Sequence, residues 1–286
     1  MPFCASAVGQ TTEGIEHAVD ARWLMAYSAA LDDMKASHVD TASREIVAHP
    51  VFPVCLEWPV ILSCASLPGQ ESVTAEERAR SVHAAHDLHL FRPIRPGDVL
   101  TTRATMAALE RGRAGVAQIY RLDTTDAQGR LVCRTYQRSV SRGAEMRGDP
   151  AHGETLPVPP VDDTPETVET RLPVSIAANA AHVYTECARI WNPIHTDRRS
   201  ALAAGLPDTI LHGTATLAMA VTRIVDVRLA GEPDRVVRLG GRFSAMVRMP
   251  AILTLEIHAR RDDVVPFTLR NEEGEPVVSR GFLQYR

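Results

Sequence analysis

The chain has 286 residues, 45% of them hydrophobic and 23% charged, with a formal net charge of -4 and a pI near 6.3. That balance is ordinary for a folded protein of one large or two modest domains, and it excludes a basic nucleic-acid footprint or a polybasic membrane surface. Small molecules are the expected partners, with no nucleic acid and no membrane. Five cysteines, Cys4, Cys55, Cys64, Cys133 and Cys187, lie scattered without a paired CxxC spacing, which argues against a disulfide framework or zinc site and for a reducing compartment. No basic start followed by an apolar stretch opens the chain, and no apolar run reaches transmembrane length. A cytoplasmic protein is expected.

In chain order, Thr11-Thr12-Glu13 precedes Ile15, Ala18, Trp23, Leu24, Tyr27 and Leu31, apolar positions at near-helical spacing behind an N-cap, and a helix is expected over residues 13–31. Pro50 and Pro53 mark a loop into an apolar segment, 54–67, which reads as a buried helix interrupted by Pro59. From Ser81 the pattern alternates, and a Pro96-Gly97-Asp98 turn leads into β-leaning residues 99–106. Residues 116–122 and 131–140 follow as strands joined by the Asp126–Gly129 turn, an antiparallel meander. His83, His86 and His89 recur at three-residue spacing, but no carboxylate or cysteine cluster accompanies them, so no metal is expected. Residues 143–168 are rich in Pro, Gly and acids, the composition of a linker between units 1–142 and 169–286. Beyond it the organisation recurs, with helix-prone segments first and then strands over 236–246, 252–260, 264–270 and 277–285. Two such units suggest an α+β protein in which each antiparallel sheet wraps a helix.

The chemistry concentrates in residues 184–217. Asn192-Pro193-Ile194-His195 forms a turn, and His212-Gly213 opens an apolar run through Val225. Pro193 fixes its own φ and biases Asn192 away from the helical region, so two polar side chains are presented rigidly. The Gly213 end of the following helix offers free N–H groups and a positive dipole end. His195, with an ordinary pKa near 6.5, suits proton transfer near neutral pH. Asp197 either orients that imidazole or caps the next helix.

These residues resemble the MaoC-like (R)-specific enoyl-CoA hydratase/dehydratase family, and the first half, with HLFRPIRPGD and its meander, resembles the N-terminal repeat of its double hot-dog members. The resemblance implies an α+β double hot-dog fold and a lyase acting on an enoyl or 3-hydroxyacyl thioester of CoA or an acyl carrier, without a cofactor. A conjugate addition or cyclisation on such a thioester, and a non-catalytic thioester-binding subunit, are the alternatives. The family pattern, Asp-x-Asn-Pro-x-His followed by His-Gly, implies that Asn192 positions water, His195 moves the proton and the Gly213 N–H polarises the carbonyl. The aspartate falls on Ile190, which neither accepts nor gives a proton. Glu186, one helical turn earlier, is the substitute this reading offers. Ile190, Trp191, Tyr184, His212 and Thr214 then contact substrate. Two helices are expected at the centres of the sheets, starting near Glu13 and His212, with the sheets pairing edge to edge. One site per chain is expected between the halves, the first half supplying acyl-chain wall, in a monomeric double hot-dog or a homodimer.

Overall fold

The computed structural model describes residues 3–71, 73–162 and 167–286. The first repeat runs β1 (Ile15–Ala18), α1 (Ala21–Ala29), α2 (Pro53–Ser63), β2 (Ser81–Leu90), β3 (Val99–Gly112), β4 (Gly115–Asp126) and β5 (Leu131–Arg142). The second repeats that order with β6 (Val168–Ile176), α3 (Ala180–Ala188), α4 (Gly213–Arg228), β7 (Val236–Phe243), β8 (Ala251–His258), β9 (Val264–Arg270) and β10 (Pro276–Tyr285). Inward and outward residues alternate along β5, where Thr135, Gln137, Ser139 and Ser141 are buried and their neighbours are not, as a half-buried strand requires. The β4–β5 turn is closed by the Asp126 side chain, which accepts from the backbone of Gln128 and Arg130.

The strands form one antiparallel sheet in the order β1-β3-β4-β5-β2-β7-β10-β9-β8-β6. The order reads the same from either end, so a pseudo-twofold axis passes through the β2–β7 pair. There the two edges that most need cover meet each other. Gly240 sits at that seam, and any side chain would collide with the carbonyl of His86 at 2.2 Å. Arg238 on β7 grips Asp87 on β2 with two hydrogen bonds of 2.9 and 2.7 Å. Burial alone would raise the Asp87 carboxyl, but the guanidinium and His89 hold it below its ordinary value.

The central helices are α2 and α4, and the first is not the one expected. Residues 13–31 divide into β1, which pairs with β3, and the short α1, whose N-cap is Asp20, accepting from the Trp23 N–H at 2.7 Å. Pairing with a sheet edge overrides the helical spacing of the apolar residues, and the helix at the centre of the first repeat is the Pro59-containing segment. The 143–168 stretch does more than tether. Met146–Arg147 pairs with Phe3–Cys4 and Ala151–His152 adds to β3, while residues 163–166 of that stretch lie outside the described residues. No helix is long and apolar enough to cross a membrane among the described residues.

Candidate active site

A cavity of about 590 Å³ opens where α2 of the first repeat faces the start of α4 in the second. His195, Asn192, Ile190, His212, Gly213 and Thr214 line one side of it, and Val54, Glu57, Trp58, Ile61 and Leu62 of α2 line another. The inward row of β5, Gln137, Ser139 and Ser141, and Gln118 and Tyr120 of β4 make up a polar wall.

Local sequence explains how the second-repeat residues get there. Arg189 adopts a left-handed conformation (φ 58°) and ends α3, so the chain turns and Ile190 hydrogen-bonds back to the Thr185 carbonyl at 3.1 Å. Pro193 starts a single 3₁₀ turn, and the Asn192 side chain accepts from the Ile194 N–H at 3.4 Å. That turn delivers His195 to the cavity wall. Its Nδ1–H donates to the Ile210 carbonyl at 2.8 Å, and because a carbonyl only accepts, the neutral ring keeps its free lone pair on Nε2. Burial pushes the His195 pKa down to about 4, so the ring is a neutral base at neutral pH. His212 stacks on it with ring centroids 3.6 Å apart and is pushed well below its ordinary pKa by burial and by His195. Gly213 begins α4 directly after His212, and a Cβ there would meet the Phe243 ring at 3.0–3.2 Å. The first-turn N–H groups of α4 therefore stand beside His195, where negative charge is stabilised.

Other expected site residues lie elsewhere. Trp191 is 59% exposed and donates to Glu186 at 3.4 Å; Glu186 is itself exposed, and neither lines the cavity. The left-handed turn at Arg189 explains this, since α3 ends before the motif and its outer face stays in solvent. Tyr184 is fully buried behind the wall, where its hydroxyl donates to Thr214 at 3.1 Å and meets that of Tyr27 at 3.3 Å. Asp197 caps the short helix Arg198–Ala203, accepting from the Arg199 N–H at 2.9 Å. His83 and His86 lie on β2 with rings 5.3 Å apart, and no group of three or more potential ligands able to hold a metal is found among the described residues.

Two features escaped sequence reasoning. Glu57 is a lone carboxyl inside the apolar run 54–62, a signal in itself. The other is a second copy of the motif. Asp33-Met-Lys-Ala-Ser-His38 has the spacing of Ile190-Trp-Asn-Pro-Ile-His195, and backbone geometry makes the two equivalent. Asp32 (φ 55°) matches Arg189, and the Asp33 N–H to Ser28 carbonyl bond of 3.0 Å matches that of Ile190 to Thr185. His38 Nδ1 donates to the Val47 carbonyl at 2.8 Å, as His195 does to Ile210.

Comparison with known proteins follows the same division. Residues 161–275 match the MaoC-like domain family, and residues 6–135 match the FAS1-like dehydratase domain region. The second repeat thus carries a match to the MaoC-like domain and the first a match to a dehydratase domain region. A MaoC-like dehydratase from Phytophthora capsici superposes with a TM-score of 0.85 at 18% identity, over 98% of this chain and 97% of that one, and so shares the fold. Among curated relatives, the peroxisomal enoyl-CoA hydratase 2 of Arabidopsis thaliana is 23% identical over 72% of this chain and 68% of its own length. The enoyl-CoA hydratase ChsH3 of Mycobacterium tuberculosis is 27% identical over 63% of this chain and 62% of its own length.

Proposed function

We propose that this protein is a hydratase/dehydratase acting on enoyl- or 3-hydroxyacyl-CoA thioesters, with its site in the second repeat. The observation that carries the reading is the pairing, in one cavity, of His195, its Nε2 lone pair directed by the Nδ1–H bond to Ile210, with the free N-terminal turn of α4 at Gly213. Hydration of a conjugated thioester needs a base for the attacking water and donors for the oxygen that becomes enolate-like. His195 Nε2 takes the water proton. The Gly213 N–H and the dipole of α4 hold the thioester oxygen as charge develops on it. Asn192 flanks the histidine and orients the water. The acyl chain runs along Val54, Trp58, Ile61 and Leu62 of the first repeat. Ile190 occupies the position of the family aspartate, which leaves the α-carbon without its proton donor in this turn.

The test is direct: purified protein with crotonyl-CoA and a longer trans-2-enoyl-CoA, followed by loss of the enoyl absorbance. Hydration of either supports the reading. Binding of both, seen as thermal stabilisation, without turnover in either direction rejects it.

A further inference from the structure

Glu57 lies on α2, 1% exposed, and is the only carboxyl among the described residues lining the cavity that holds His195, Asn192 and Gly213. Thr135 Oγ1 on β5 donates to its Oε1, and no other donor among the described residues is bonded to it. A carboxylate held there would have one neutral donor and no cation. Burial pushes the carboxyl up to about 7, opposed only by the Thr135 hydrogen bond. The titratable groups facing it are Tyr27 on α1, Tyr184 on α3, Cys55 on α2 and Cys133 on β5, each raised by burial and further by Glu57 itself, so all are neutral. Across the cavity His83, His195 and His212 are kept neutral by burial, while Arg78 and Arg142 are exposed at its margin.

The pseudo-twofold supplies a second line of argument. On α4, Thr222 reaches across the repeats to within 3.1 Å of both His49 and Asp33 in the first-repeat motif. On the other side α2 lines the same cavity as the motif of the second repeat, and Glu57 is the carboxyl that α2 brings there.

We propose that Glu57 is the second proton carrier of the site, serving in hydration as the general acid that Ile190 is not. This rests on the hydratase reading above. The water oxygen bonds to C3 as its proton passes to His195 Nε2, the C2–C3 π pair becomes the C1–C2 π bond, and the carbonyl π pair moves onto the thioester oxygen at Gly213. Collapse of the enolate then forms a C2–H bond with the Glu57 proton, leaving a carboxylate and an imidazolium. Transfer of that proton from His195 to Glu57 through water resets the site, with one water consumed per double bond.

Glu57→Gln tests this, because it keeps shape and an acceptor for Thr135 while removing the transferable proton. Wild-type kcat/KM for hydration should fall as pH rises through about 7. The variant should lose about 100-fold or more in kcat with little change in KM, and the alkaline fall should vanish. Adding Ile190→Asp to the Gln variant should restore part of the rate. Infrared difference spectra of wild type against variant should carry a protonated carboxyl band below pH 7 that fades above it, a readout that does not depend on turnover. If Glu57→Gln stays within about threefold of wild type with the alkaline fall intact, Glu57 is structural and the proposal is overturned while the hydratase reading stands. A wild-type protein that hydrates neither enoyl-CoA overturns both.

Discussion

The two repeats hold the same turn in the same geometry, and each has lost what the other keeps. In the first, Asp33 and His38 stand where Ile190 and His195 stand in the second, but Lys35 and Ala36 replace Asn192 and Pro193. Pro50 falls where Gly213 stands, since His38–Val47 pairing and the Ala48 N–H bond to Ile94 match His195–Ile210 and Leu211–Val247. Proline has no N–H, so position 50 cannot donate as the Gly213 N–H can. The first-repeat turn is also sealed. Asp33, His38 and His49 are 2%, 0% and 1% exposed, with Thr222 on Asp33 and Lys35 bridging Asp33 and Asp226 at 2.8 Å each. Burial would raise the Asp33 carboxyl, but His49, His38 and Lys35 pull it below its ordinary value. The same six-residue frame thus serves as an inter-repeat clamp in one half and as a cavity wall in the other. An open cavity and a helix N-terminus with its N–H intact separate the two roles more than any single acid or base does.

The largest effect that would break this comparison is on the clamp. Asp33→Ala should cost about 3 kcal/mol of stability, because it removes the buried acceptor that Thr222 and Lys35 share, yet turnover of the folded fraction should be unchanged. Denaturant unfolding beside an activity assay checks both. Next comes Gly213→Ala, whose Cβ would press on the Phe243 ring at 3.0–3.2 Å. It should destabilise by about 1–3 kcal/mol and lower kcat by displacing the N–H donors, whereas Pro50→Ala on the sealed side should leave kcat alone.

A smaller effect concerns acid. His49 and His83 are pushed down to about 3 and His86 and His195 to about 4, chiefly by burial. Unfolded histidine binds its proton near 6.5, so their contribution is complete above that pH and is lost as pH falls toward 3–4. Glu57 works oppositely, costing stability as pH rises from 4.5 toward 7. The melting temperature should therefore drop between pH 7 and pH 5, and Glu57→Gln should raise it more at pH 8 than at pH 5. The smallest effect is at the surface: Glu186→Gln should change kcat by less than about threefold, and a larger loss would return Glu186 to the site.

Much of the fold was legible because alternation and turn chemistry are local. Residues 264–270 were expected as a strand and are one, and the helix opening at His212-Gly213 begins at Gly213. The first-repeat core helix was misplaced because apolar spacing from Ile15 to Leu31 mimics a helix, while β3, some eighty residues away, claims Ile15–Ala18 as a strand. His195, Asn192, Ile190, His212, Gly213 and Thr214 stand in or beside the motif and share one cavity. Helical periodicity points to Glu186, but the left-handed Arg189 interrupts it. Glu57 lies 138 positions before His195 in the chain, and only the pseudo-twofold packing of α2 against the second repeat brings the two to one cavity.

The most direct measurement compares two histidines in equivalent positions. Enoyl-CoA hydration by wild type, His195→Ala and His38→Ala should show a loss of about 100-fold or more for His195→Ala with its unfolding midpoint nearly unchanged. His38→Ala should keep kcat within about threefold while unfolding more easily. The reverse pattern, with activity lost at His38 and kept at His195, would contradict the assignment of the chemistry to the second repeat.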